Sequence, residues 1–187
     1  MTPPHRGDTR RVPSCQVSLQ VEDEYHDLVS EARLKSVVEE TLIAGGRAAD
    51  TAVTVAIAGD GLVRDLNRLH RGLDETTDVL SFSFDHHGQY YGDEEPQNGP
   101  EVDPEFVLPP EVPATLGDVI ISYPQAQREA DEAGHSVEQE LAVLLAHGVL
   151  HLMGHDHEGP EEEAAMNEVA TRALAGVTTA GVMLSEA

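Results

Sequence analysis

The stretch from Ser136 to Met153, SVEQELAVLLAHGVLHLM, constrains this chain more than any other. Leu141, Leu144, Leu145 and Val149 recur at helical spacing, and the segment is apolar almost all the way round. Such a helix has to be covered on most sides by the rest of the protein. Ser136 with Gln139 three residues on has the pattern of a capping box, and Gly154 is placed to stop the helix. A chain of 187 residues fits one domain with a core of its own, so this should be its most buried helix.

Four strands are expected around it. CQVSLQVE alternates Val17, Leu19 and Val21, TAVTVAIAG is rich in β-branched residues, and DVLSFSF (78–84) and LGDVIIS (116–122) complete the set. Between them lie a helix in DLVSEARLKSVVEETLIAGG and a short helix in DGLVRDLNRLHRG. The short helix has Asp60 as N-cap, Gly72 as its end, and Val63, Leu66 and either Leu69 or His70 facing inward. Arg64, Arg68 and Arg71 form the one basic stripe of the folded part. A further helix is expected from Pro124 to about Ala133, and a last one opens at Pro160. Residues 1–13 read as a disordered tail, 14–176 as a single domain, 85–115 as a long acidic loop inserted between strands, and 177–187 as a C-terminal tail.

Four of the ten histidines fall within residues 147–157. On a helix His147 and His151 project from one face about one turn apart, and His157 follows after Gly154 lets the chain turn back. Three neutral imidazoles so placed suit one zinc ion in an open, catalytic site, although nickel or another divalent ion also fits imidazole. His155, beyond the helix break, is left out of the ligand set, and Asp156 is placed to orient a ligand histidine. The spacing is that of the zinc-peptidase frame HExxHxxGxxH without its glutamate, because position 148 is glycine. A peptidase would lack its general base.

Composition narrows the rest. A single cysteine, Cys15, excludes a disulfide framework and a Cys-rich zinc site. The first residues hold no apolar run of the kind a signal peptide needs, and no window has the roughly 18 apolar residues of a membrane span, so a soluble, cytoplasmic protein is expected. A net charge of −24 opposes binding to phosphate backbones unless local charge differs from the total. The arginine stripe is the place where it does.

Three segments in order resemble the bacterial YbeY proteins, single-domain zinc-dependent endoribonucleases of ribosomal RNA maturation. HGVLHLMGHDH (147–157) is similar to that family's HGxLHLxGYDH, LNRLHRGLDETTDVLSFSF (66–84) to LNxxYRGKDxPTDVLSFPF, and LGDVIIS (116–122) to LGDIxIS. The resemblance covers about residues 15–175. It implies an α+β fold, a small mixed four-stranded sheet packed against several helices with the zinc helix central. It also implies zinc on His147, His151 and His157, and Arg71 lining the active cleft. The activity implied is cleavage of single-stranded RNA in small-subunit rRNA maturation and ribosome quality control. The implied partners are that rRNA, the small ribosomal subunit and a ribosome-assembly GTPase, with neither DNA nor membrane. The chain departs from the family pattern at His70, Leu73 and Thr76 and in its acidic loop. Two alternatives to a ribonuclease are a ribosome-assembly factor that binds without cutting, its metal structural, and a metallohydrolase of another substrate such as peptides.

Overall fold

The computed structural model describes residues 15–47, 51–84, 114–155 and 159–185. Four strands, β1 (Gln16–Val21), β2 (Thr51–Ala58), β3 (Val79–Ser83) and β4 (Ala114–Ser122), form one sheet in the order β1-β2-β4-β3. β1, β2 and β4 run parallel, and the edge strand β3 pairs antiparallel to β4. With helices α1 (Glu31–Ala44), α2 (Asp60–Arg71), α3 (Tyr123–Ala133), α4 (Val137–Leu152) and α5 (Pro160–Ser185), the protein is a single α+β domain.

The alternation of β2 assigns the two faces of the sheet. Val53, Val55 and Ile57 point into the main core with Val119 and Ile121 of β4, beneath α1 and α4. Ala56 and Ala58 point the other way, into a smaller cluster with Leu80, Ile120 and Val63 of α2. α4 is central as expected, touching α1, α3, α5, β3 and β4. Its capping box is present: the Ser136 hydroxyl accepts from Gln139 N–H at 3.2 Å and the Gln139 amide oxygen accepts from Ser136 N–H at 3.1 Å. Caps of this kind contribute about 1 kcal/mol each.

Several boundaries differ from the sequence expectation for identifiable reasons. Leu69 is 76% exposed, while Asn67 is buried. The stripe through Val63 continues to Asn67 and His70, so Leu69 falls outside it. Asp60 is the first helical residue of α2 and Gly59 its N-cap, because the Asp60 carboxylate is engaged by the Ser122 hydroxyl (2.6 Å) and Arg128 (3.0 Å). α5 does not stop near Gly176 but runs to Ser185. Gly176 is a close-packing glycine whose missing Cβ would collide with the Glu40 carboxylate of α1, and Val177 beyond it is buried. β4 begins at Ala114, so residues 114–115 belong to the sheet rather than the inserted loop; residues 85–113 of that loop, and the tail 1–13, lie outside the described residues.

Candidate metal centre

From Leu141 to Leu152 every residue of α4 is buried except Val143, His147 and His151. These three lie at i, i+4 and i+8, one narrow stripe on an otherwise enclosed helix. Both histidines therefore sit, half-buried, where core packing fixes the backbone. Their Nε2 atoms are 3.0 Å apart and the rings meet edge to face, with centroids 4.5 Å apart.

The end of α4 sets the orientation of the second ring. Gly154, at φ +84°, closes the helix in a Schellman turn: its N–H donates to the His151 carbonyl (2.9 Å), and His155 N–H donates to the Leu150 carbonyl (3.0 Å). That turn carries the His155 carbonyl to 3.0 Å from Nδ1 of His151. A carbonyl only accepts, so in the neutral ring Nδ1 holds the proton and Nε2 presents its lone pair. The arrangement is the usual one for an imidazole whose other nitrogen serves as a ligand. His155 thus contributes its backbone carbonyl to orienting His151, which side-chain spacing alone does not disclose.

Two serines of β3 pin the same helix. Ser81 Oγ donates to the Gly148 carbonyl (3.2 Å) and Ser83 Oγ to the Leu152 carbonyl (3.4 Å). Gly148 lies directly against the sheet: a Cβ there would stand 2.7 Å from Val119 Cγ1 and 3.0 Å from Ser81 Oγ. The glycine in the place of the peptidase glutamate is thus required by packing, and a side chain at 148 would point into the core, away from the histidine stripe.

Arg71 is the last residue of α2, on the opposite face of the sheet from α4. Both helices nevertheless finish beside the same end of β3: the His70 ring packs edge to face on Phe82 (centroids 4.8 Å), and Leu152 is held by Ser83. The C-terminal turns that carry Arg71 and His151 thus reach one strand end from two sides. Arg64 and Arg68 of the basic stripe are engaged by carboxylates. Arg64 makes a two-pronged bond to Asp74 (2.8 and 2.9 Å), and Arg68 bonds Asp65 (2.8 Å). The hydrogen bond from Arg64 holds the Asp74 carboxyl below the usual carboxylate range. The stripe is therefore less positive than its sequence implies, which removes much of the steering expected of Arg64 and Arg68.

His157 and Asp156 lie outside the described residues. Among the described residues two candidate ligands converge, and no group of three does. Cys15 stands just ahead of β1, at the sheet edge opposite β3, and burial pushes its thiol up to about 11. A cavity of about 300 Å³ opens elsewhere, between the N-terminal parts of α1 and α4 over Leu34, Val37 and Leu141, remote from the histidine end of α4.

Fold and site together define an α+β protein with a half-buried histidine pair on a core helix, whose Nε2 atoms converge near the end of an edge strand. The sequence model of the family described as "Endoribonuclease YbeY" matches residues 18–178. An endoribonuclease YbeY of Dehalococcoides mccartyi (strain CBDB1) is 43% identical over 151 residues, covering 81% of this chain and 86% of the relative. One from Symbiobacterium thermophilum is 39% identical over 168 residues, 89% and 95% of the two chains. The chain belongs to the endoribonuclease YbeY family. The solution structure of TM1509 from Thermotoga maritima has the same fold, with a TM-score of 0.52 at 22% identity over 88% of this chain and 93% of that one.

Proposed function

We propose that this chain acts as the family name states, as an endoribonuclease, and that its substrate is single-stranded RNA of the small ribosomal subunit, cut during rRNA maturation in the cytoplasm. Its partners in this reading are the small ribosomal subunit and a ribosome-assembly GTPase. The observation that carries the reading is the pair of facing imidazole nitrogens, 3.0 Å apart, with His151 locked by a carbonyl on its far side.

Two bare nitrogens do not rest at that distance without a cation or proton between them. Imidazoles at about 2.0–2.1 Å from one tetrahedral zinc ion have nitrogens about 3.3 Å apart, so the pair fits the group with little movement. His147 and His151 would hold the ion, and His157 is assigned as third ligand on sequence spacing. When bound, such an ion supplies a Lewis acid at a phosphate oxygen. Arg71 binds a scissile phosphate through two parallel N–H···O bonds and stabilises the charge that grows on it in the transition state. The core-packed Gly148 leaves no room for a glutamate base, which counts against peptide hydrolysis. No helix among the described residues is long and apolar enough to cross a membrane.

The test is substrate choice. Purified protein is given one labelled rRNA-precursor fragment as a single strand, as a duplex and as the DNA equivalent, beside an unstructured peptide. Cleavage of the RNA single strand alone is expected. Cleavage of the peptide, or of none of the four by metal-loaded protein, would overturn the proposal.

A further inference from the structure

The chain leaving α2 doubles back along the helix it has just left. Gly72, at φ +73°, reverses its direction, and its N–H donates to the Arg68 carbonyl. Three bonds then close the returning segment onto α2: Arg64 donates twice to the Asp74 carboxylate, and Asn67 Nδ2 donates to the Glu75 carbonyl at 2.9 Å. Arg71 and Gly72 form the apex of this closed helix–turn hairpin. Asn67 stands one helical turn before Arg71 on the inner side of the hairpin.

Asn67 is an unusual choice for its position. It is 1% exposed and follows the buried Val63 on the stripe that faces the sheet. Its Oδ1 is buried without a hydrogen-bond partner among the described residues. A half-satisfied amide carries a desolvation cost that a leucine would not, so packing stability does not account for it. What the amide supplies, and a leucine cannot, is the donor that fixes the Glu75 carbonyl.

We infer that Asn67 is a positioning residue for Arg71, holding the turn at residues 72–75 so that the guanidinium is presented at the end of β3 beside the histidine pair. The inference rests on the role proposed above for Arg71. Arg64 and Asp74 brace the same turn from its exposed side, which gives that arginine a local task in place of RNA steering.

A double-mutant cycle tests this. Asn67→Ala, Arg71→Ala, the double variant and Asp74→Asn are compared for kcat and KM on single-stranded RNA, for thermal midpoint, and for amide exchange at residues 73–78. Asn67→Ala should lower kcat about 100-fold, the scale of a misplacement of roughly 1 Å, with KM little changed and faster exchange in 73–78. It should cause no further loss once Arg71 is absent, whereas a variant that merely weakened the fold would lose the same factor in both backgrounds. Asn67→Asp, which keeps the size and loses the donor, should match Asn67→Ala and serves if the alanine variant does not fold. Asp74→Asn should lower kcat by a few-fold. Arg71→Ala inactive with Asn67→Ala at wild-type kcat overturns the inference alone, as do additive losses in the cycle. Arg71→Ala with full activity overturns the functional reading of Arg71, and the inference with it.

Discussion

α2 and α4 end beside the same end of β3, α2 at Phe82 and α4 at Ser83, one on each face of the sheet, and they are built in opposite ways. α4 is enclosed from Leu141 to Leu152 except along one stripe, Val143, His147 and His151, in twelve residues of core. α2 buries Val63 and Asn67, lays Leu66 on the smaller core cluster and the His70 ring on Phe82, and is otherwise held here by directed side-chain bonds and ion pairs. At α4 geometry is set by packing, where volume changes are costly. At α2 it is set by directed polar bonds, which contribute little to stability when exposed. Damage to the α4 side should therefore appear first as lost fold, and damage to the α2 side as lost activity in a folded protein.

The largest effect should come from Gly148→Glu, which restores the peptidase motif. With a Cβ 2.7 Å from Val119 and a carboxylate driven into the core, it should cost about 3 kcal/mol or more, and thermal melting should show a protein that is unfolded or nearly so. A stable, peptide-cleaving variant would break the comparison outright. Next, Arg71→Ala should lower RNA cleavage by about 10²–10³-fold with an unchanged melting temperature, whereas Arg68→Ala should change it only a few-fold. Equal losses, with equal changes in salt dependence, would restore the stripe as a steering surface.

A smaller effect is expected at the serines that bridge β3 to α4. Ser81→Ala and Ser83→Ala remove hydrogen bonds to α4 carbonyls and should each cost about 1 kcal/mol, read from denaturant midpoints. The smallest concerns charge. Burial, reinforced by Glu129 and Asp78 and opposed by His135, raises the pKa of Glu140 on α4. A raised carboxyl favours folding while protonated, and that contribution is lost as pH rises through the folded value. Glu140→Gln should therefore raise the melting temperature by a few degrees at most at neutral pH, and the gain should fade as pH drops below the ordinary glutamate range. Asp74→Asn on exposed α2 has the opposite sign: its lowered pKa favours folding above the ordinary aspartate range, so the variant should be slightly less stable at neutral pH and indistinguishable in acid.

How much of this was legible in the sequence follows the same division. Strand alternation, the apolar helix, its capping box and the His147–His151 spacing are local patterns, and each appears in the structure where periodicity places it. What escaped depends on contacts distant in sequence. Nothing near Gly148 reveals that Val119 lies against it, nothing near Gly176 reveals Glu40, and a stripe of three arginines does not disclose that Asp74 returns to Arg64. Asn67 rather than Leu69 is buried because the helical angle, not hydrophobicity, decides which side chains of α2 face the sheet. A polar residue on the Val63 stripe was the signal that could have found it.

The measurement that bears most directly on the account is bound metal and RNA cleavage determined on the same preparations of wild type, His151→Ala and Arg71→Ala. Wild type should hold about one ion and cleave, His151→Ala should lose both, and Arg71→Ala should keep a full ion without cleavage. Metal retained in His151→Ala, or cleavage retained in Arg71→Ala, would contradict the claim that the two helix ends make one site.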